Sequence, residues 1–293
     1  MIITTSEELR VLTGSFYANS DFTKISGMIG TVATELQTIL GMSTLESLQG
    51  DAQLAAKQAV AYMATMRYNK LNDLSHETGG RKAKIDRENE ARPFEWQLAR
   101  DDRAHLEEYY RALDRLIAAL QDNEDFKSGN VYRQQHSLIV KCSETLSWLT
   151  GVDNSGWLYI RLIPYLAESQ RAVEKAYGDR LDVENFGMLE NTDSVNYAAQ
   201  KAVALGALAL MGRRTSLQTL PYGLMKLFES NGGGNRQEVA ELDRLDAYLK
   251  HLSREQHYWV NEMKQLRDNA RGEDVATHLQ MPENDPRNKF MRV

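Results

Sequence analysis

The sequence predicts an all-α protein built from two tandem copies of one helical unit. Apolar residues recur at the three- and four-residue spacing of amphipathic helices along most of the 293 residues. The chain contains only five prolines, which leaves long segments free to be helical. The pattern of the first half also returns in the second half, and such internal similarity is typical of repeat architectures.

Composition excludes several classes of protein. A hydrophobic fraction of 42% beside 26% charged residues is typical of a soluble chain with ordinary cores. No stretch approaches the roughly 20 apolar residues of a membrane span, and residues 1–5 lack the features of a signal peptide, so we expect folding in a cytoplasm. The net charge of -6 argues against a domain that grips nucleic acid, but it is compatible with an acidic ring through which DNA slides.

The chain is expected to open with a short helix followed by a long one. Thr5 and Glu8 have the spacing of a capping box, which predicts a helix over residues 6–12. Asp21 is a candidate N-cap for a long amphipathic helix, and Gly41 stands where its C-cap belongs.

A second long helix is predicted from Asp51 to about Leu71. One face of it carries small side chains that permit a neighbouring helix to approach closely, and these are Ala52, Ala55, Ala56 and Ala59. Over residues 73–92 the helical pattern gives way to polar and charged residues around a Gly-Gly pair. This segment is predicted to form a polar β-hairpin or loop that projects from the body.

Two more helices are predicted before the middle of the chain. Pro93 suits a first helical turn, and the apolar stripe that follows continues through Leu120. The next helix is predicted over residues 131–149, and Gly151 ends it. Cys142, the single cysteine, lies in this apolar stripe, so we expect a buried structural thiol rather than a nucleophile.

The second half repeats the order of the first. Shifting the chain by 137 positions places Gly178 on Gly41 and aligns the apolar stripe of residues 158–178 with that of the first long helix. The next helix adds identity, because AAKQAVA at residues 55–61 recurs as AAQKAVA at residues 198–204 after a shift of 143.

A glycine-rich stretch at residues 231–235 precedes the last predicted helix, whose apolar stripe ends at Leu266. We therefore predict that residues 21–121 superpose on residues 158–266 as helical units. The alternative is that two sets of amphipathic helices align by chance. The predicted division is a first repeat with the hairpin insertion at 1–150, a second repeat at 151–271 and an arm at 272–293.

Chemical motifs are scarce. Asp73-x-x-His76 together with Asp102-x-x-His105 resembles the carboxylate and histidine pairs of di-iron bundles, but solvated surface is the better interpretation of both histidines. The triple glycine at residues 232–234 lacks the Lys-Ser/Thr of a phosphate loop. No catalytic, cofactor-binding or metal-binding residue is therefore assigned, and we predict a protein that is not an enzyme.

The aromatic residues allow two interpretations, a base-stacking platform or packing in cores and interfaces. Packing is preferred, because most of them fall on helical stripes without interleaved basic residues. The set comprises Phe94, Trp96, Tyr109, Tyr110, Trp148, Trp157, Tyr159, Tyr165 and Trp259.

Two segments are predicted to bind partners. The hairpin carries a basic cluster of Arg81, Lys82 and Lys84, which is either a solvated turn or a contact for an acidic partner. Residues 272–293 are predicted to form an extended arm that orders against another chain, with plain terminal disorder as the alternative. The arm offers apolar anchors and positive charge at Met281, Arg287, Lys289, Phe290, Met291 and Arg292.

Particular segments also resemble a known family. Residues 2–10 (IITTSEELR), the helix that ends at Gly41, residues 93–97 (PFEWQ) and residues 158–178 resemble, in this order, a family of uncharacterised virion proteins of Bacteroidetes phages and prophages. The resemblance covers residues 1–180 well and the remainder loosely. The single unit is in turn similar to the head-tail connector proteins, or adaptors, of long-tailed phages.

The resemblance implies a homo-oligomeric ring, commonly dodecameric in such adaptors, that docks beneath the portal protein in the neck of the virion. It further implies contacts with head-closure or tail proteins, passage of DNA through the lumen without specific binding, and assembly in the bacterial host cytoplasm. No cofactor and no membrane are implied. The alternatives are another neck or tail protein, a cytosolic helical scaffold unrelated to virions, and a helical-bundle metalloenzyme. The tandem repeat departs from the single-unit adaptor.

Overall fold

The computed structural model describes residues 3–14, 22–72, 74–77, 80–83, 95–178, 180–181, 194–215 and 242–270. Most of these residues are helical, which confirms the predicted all-α class. Among the described residues, no helix combines the length and the apolar character needed to cross a membrane.

The described helices of the first half are α1 (Ser6–Thr13), α2 (Phe22–Leu40), α3 (Met42–Glu46), α4 (Gly50–Asn72) and α5 (Glu95–Leu120). Between α4 and α5, the short strands β1 (Leu74–Glu77) and β2 (Gly80–Ala83) pair antiparallel, with Leu74 opposite Ala83. The second half contains α6 (Glu124–Ser128), α7 (Asn130–His136), α8 (Ser143–Thr150), α9 (Gly156–Tyr177), α10 (Val195–Thr215) and α11 (Leu242–Ala270).

Helix α1 has the cap predicted from the sequence. The Thr5 side chain accepts a hydrogen bond from the Glu8 backbone N–H at 3.1 Å. The Glu8 carboxylate accepts in return from the Thr4 N–H at 3.0 Å. At the other end, Gly14 adopts a left-handed φ of 69° and its N–H bonds to the Arg10 carbonyl. The predicted N-cap Asp21 of the next helix lies outside the described residues.

Helix α4 is the centre of the first half, because α1, α2 and α5 all pack against it. Its alanine face is buried, with Ala56 and Ala59 at most 1% exposed. Lys57 pairs with Glu8 of α1 at 2.6 Å. Arg67 makes two hydrogen bonds to Glu35 of α2, at 2.7 and 2.9 Å.

Helix α10 holds the same place in the second half, where α8, α9 and α11 pack against it. Ala198, Ala199 and Ala202 are fully buried along its alanine segment. Arg214 makes two hydrogen bonds to Glu168 of α9, at 2.6 and 2.7 Å. Each half therefore surrounds one alanine-rich helix with a short helix and two long ones.

The two halves meet where α5 contacts the start of α9. Asp114 of α5 accepts hydrogen bonds from the Ser155 hydroxyl at 2.8 Å and from the Trp157 N–H at 3.0 Å. A Cβ at Gly156 would lie 2.9 Å from the Ile117 side chain, so glycine permits this close approach. A single cluster of buried apolar side chains includes residues of both halves.

The prediction of one continuous helix over residues 131–149 is wrong, because the structure has two helices there, α7 and α8. Residues 137–142 between them leave the helical conformation, and Leu138, Ile139 and Val140 are buried there. Three consecutive apolar residues in a non-helical segment cannot be distinguished from part of a helical stripe by periodicity alone.

Polar side chains from other elements pair with the backbone of this buried segment, as buried N–H and C=O groups require. Gln170 accepts from the Ile139 N–H, and Gln200 donates to the Ile139 carbonyl, each at 3.0 Å. The hydroxyl of Tyr159 donates to the Val140 carbonyl at 2.8 Å. Residues from α9 and α10 thus replace the bonds that a continuous helix would have made.

Cys142 ends this segment as the N-cap of α8. Its sulfur accepts from the Thr145 N–H at 3.4 Å, and the side chain is half-buried. The predicted structural thiol is therefore half-buried rather than buried, and it stands before a helix rather than inside one. Cysteine serves here as the capping side chain, as Thr5 does in α1.

The burial of Tyr159 and the partial burial of Tyr109 predict a loss of stability at high pH. Burial raises the pKa of Tyr159, and burial, assisted by the neighbouring Tyr110, raises the pKa of Tyr109 to about 12. The unfolded chain releases these protons near pH 10, so the folded chain binds more protons above that value. We expect the free energy of unfolding to fall as the pH rises from 10 to 12. Chemical denaturation across this range should show a shallower decline for Tyr109→Phe, and an unchanged slope would contradict the assignment.

Candidate interaction surface

The described residues contain no group of three or more His, Cys, Asp or Glu side chains placed to hold a metal ion. His105, expected on a solvated surface, is instead buried at 7% exposure, with its ring edge against Tyr62. Its Nδ1 lies 3.0 Å from the Asp101 carbonyl. The expectation was wrong because α4 covers this face of α5. The side chain of His76 lies outside the described residues.

An exposed row of aromatic rings is the most distinctive surface of the described chain. We call it the aromatic strip, and it consists of Trp148 of α8, Tyr197 of α10, and Trp259 and Tyr258 of α11. The Trp148 and Tyr197 ring centroids are 5.3 Å apart, those of Tyr197 and Trp259 5.4 Å, and those of Trp259 and Tyr258 5.3 Å. The interplanar angles of 74 to 82° make each contact edge-to-face.

The strip is open to solvent at both ends. Trp148 is 47% exposed and Tyr258 is 59% exposed, whereas the two rings between them are half-buried. Each ring is held by the next, so a bound partner would immobilise few additional side chains. Such rigid, exposed aromatic side chains are typical of the anchors of protein interfaces.

Capped helix ends fix the positions of the rings. Helix α8 ends at Gly151, whose φ is 72°, and the Ser147 hydroxyl donates to the Val152 carbonyl at 2.6 Å. The Lys201 ammonium of α10 bonds to the Leu149 carbonyl and ties the end of α8 to α10. The Ser194 side chain accepts from the Tyr197 N–H at 3.0 Å where α10 begins.

Exposed apolar side chains stand at corresponding places in the first half. Val11 is the sixth residue of α1, as Trp148 is of α8, and it is 75% exposed. Leu54 directly precedes the Ala-Ala pair of α4, as Tyr197 does in α10, and it is 49% exposed. Both halves therefore expose an apolar side chain on the short helix, and on the alanine-rich helix the first half exposes Leu54 where the second half has the half-buried Tyr197.

Acidic residues border the aromatic strip. Glu144 precedes Trp148 by one helical turn, and Glu255 and Glu262 lie one turn to either side of Trp259. Two positive charges also lie at the border, because Arg254 stands a turn before Tyr258 and Lys201 a turn after Tyr197. The border has a net negative charge and favours a partner that combines apolar groups with positive charge.

The predicted partner-binding residues are not brought together by the described structure. Arg81 and Lys82 are described only as backbone of β2, and their side chains and Lys84 lie outside the described residues. The same holds for the arm at 272–293, with Met281, Arg287, Lys289, Phe290, Met291 and Arg292, and for the rest of the predicted hairpin. The projection of the hairpin from the body of the protein stays a prediction.

The aromatic residues were predicted to pack in cores or interfaces rather than to stack on bases. That prediction does not distinguish the rings that lie in the core from those that lie at the surface. Trp157 and Tyr159 are buried, whereas Trp96, Tyr110 and Trp148 are exposed. Tyr197 and Tyr258 of the strip were not singled out from the sequence, because nothing in the helical pattern places them beside Trp148.

Compared with protein family models, curated proteins and solved structures, the chain matches none of them.

Proposed function

We propose that this chain is a structural subunit of a phage virion, a head-tail adaptor that assembles with copies of itself into a ring beneath the portal. The observation that carries the proposal is the pair of exposed apolar surfaces at corresponding places in the two halves. Large apolar side chains left in water on a soluble protein are typical of surfaces that another protein covers. The resemblance of residues 1–180 to virion proteins supplies the biological setting.

The proposal includes a duplication of one helical unit. Support comes from α1 and α8, where SEELRVLTG at residues 6–14 and SETLSWLTG at residues 143–151 share six of nine letters. The shift is 137, the same value that aligns Gly178 with Gly41. Both short helices are capped by a side chain at the start and by a left-handed glycine at the end, with φ of 69 and 72°.

A duplicated subunit suits a ring. Each subunit of a closed ring uses one surface toward the preceding copy and a different surface toward the next. One chain presents Val11 and Leu54 on its first half and the aromatic strip on its second half. The net charge of -6 is compatible with a ring whose wall does not bind the DNA duplex that passes through the lumen.

The assembly is tested with the full chain. Sedimentation and negative-stain imaging are expected to show closed rings, and Val11→Asp or Trp148→Asp should shift the population toward monomers by at least tenfold in dissociation constant. Such a shift corresponds to about 1.4 kcal/mol. Tyr110→Asp is the matched control, because Tyr110 is 42% exposed on α5 and lies outside both surfaces.

Circular dichroism must show folded helices in every variant. A chain that stays monomeric at all concentrations, with or without a portal ring, would contradict the adaptor. Labelled protein found in the host cytoplasm but never in purified particles would favour the cytosolic scaffold instead.

A further inference from the structure

We propose that the aromatic strip of one copy binds the C-terminal segment, residues 272–293, of a second copy. This inference rests on the proposed assembly and names one of the contacts between its subunits. It assigns a role to the strip and a binding site to the predicted arm.

The chemistry of the strip selects the kind of ligand. Edge-to-face stacking from Trp148 to Tyr258 leaves ring faces and edges available at the surface. Aromatic side chains bind such rings edge-to-face, and methionine sulfur makes favourable contacts about 5 Å from a ring. A segment with phenylalanine and methionine anchors therefore matches the surface better than a purely aliphatic one.

The C-terminal segment has this composition. Met281 stands before two prolines, and Phe290 and Met291 stand close to the end. Pro282 and Pro286 have fewer backbone conformations to lose than other residues, which lowers the entropy lost on binding. Extended segments can place alternate side chains against a flat, ring-lined surface.

Charge complementarity points the same way. Within residues 287–293, three basic residues and no acidic residue surround the Phe-Met pair, namely Arg287, Lys289 and Arg292, whereas the four acidic residues of the segment all precede residue 286. The strip is bordered by the three acidic side chains of Glu144, Glu255 and Glu262 and by the two basic side chains of Lys201 and Arg254, so its border carries a small net negative charge. Opposite charges at the rim of an interface steer the encounter and fix the register, while the apolar centre supplies most of the affinity.

The length of the segment allows it to leave its own subunit. Helix α11 ends at Ala270, and Phe290 follows 20 residues later, which spans up to about 65 Å when extended. The strip of the same subunit lies only 11 residues back at Trp259, about 16 Å along the helix. A segment of this length is longer than the distance to the strip of its own subunit requires. It is long enough to span the greater distance to the strip of a neighbouring subunit.

Photo-cross-linking of the full chain tests the proposal. Phe290 is replaced by p-benzoylphenylalanine, and ¹⁵N-labelled and unlabelled copies are mixed, unfolded, refolded together and irradiated. We expect cross-linked peptides that join a labelled copy to an unlabelled one and that contain Trp148, Tyr258 or Trp259. Tyr258→Asp should reduce these cross-links at least fivefold, and Tyr110→Asp should leave them unchanged.

Two outcomes overturn the inference without touching the proposed function: rings whose cross-links stay within one copy, and rings whose cross-links map to other surfaces. If Tyr258→Asp disturbs folding, Phe290→Asp replaces it, with acrylamide quenching of tryptophan fluorescence as the readout. The substitution lies beyond the last described helix and should raise the quenching constant of assembled rings. An unchanged constant overturns the inference, and a chain that never assembles overturns the proposed function as well.

Discussion

Replacing Ala59 or Ala202 by leucine is expected to lower the free energy of unfolding by about 1 to 3 kcal/mol for each substitution. Both side chains are fully buried, Ala59 where α4 faces its neighbours and Ala202 in the alanine segment of α10. Three additional carbons have no space between close-packed helices, so either the helices separate or side chains leave their preferred rotamers.

Urea denaturation followed by circular dichroism measures this loss. Ala118→Leu is the matched control, because Ala118 is exposed on α5 and should change the free energy of unfolding by no more than about 0.5 kcal/mol. Equal stability of all three variants would mean that the alanine faces do not pack as described.

Gly206→Ala and Gly30→Ala are expected to change stability in opposite directions. A Cβ at Gly206 would overlap the buried Ser169 hydroxyl and the side-chain amide of Gln256, where α9, α10 and α11 come together. We expect a loss of about 1 to 3 kcal/mol from this crowding, reduced by the better helix propensity of alanine.

Gly30 lies in the interior of α2, and a Cβ there would meet no atom within 4 Å. Only the helix propensity changes, so Gly30→Ala should stabilise the chain by about 0.5 to 1 kcal/mol. Thermal and urea denaturation of both variants provide the comparison. Stabilisation by both substitutions would show that α10 is not crowded at Gly206.

Local signals in the sequence were sufficient for most of the helices. Thr5 and Glu8 form the expected cap at the start of α1. Gly41 and Gly178 follow the ends of α2 and α9 with positive φ values of 94 and 89°. Capping depends on residues within one turn of each other, so the sequence contains the whole signal. The break at residues 137–142 depends on Gln170 and Gln200 instead, which lie tens of residues away.

The aromatic strip could not be predicted for the same reason. Trp148, Tyr197 and Trp259 belong to three helices, and only the packing of α8 and α11 on α10 brings their rings within stacking distance. The sequence does contain one signal of an exposed position. Aligning α8 with α1 at the shift of 137 places Trp148 at the position of Val11, which would have indicated a recurring exposed side chain.

The segment between α7 and α8 has a consequence for variation in this chain. The backbone of residues 139 and 140 forms hydrogen bonds with the side chains of Gln170, Gln200 and Tyr159. None of these hydrogen bonds involves a side chain of the segment itself. Exchange of one aliphatic residue for another in this segment is therefore tolerated, provided that volume is kept. Insertion or deletion of a single residue would misalign every one of these bonds, so the length of the junction is more strictly constrained than its sequence.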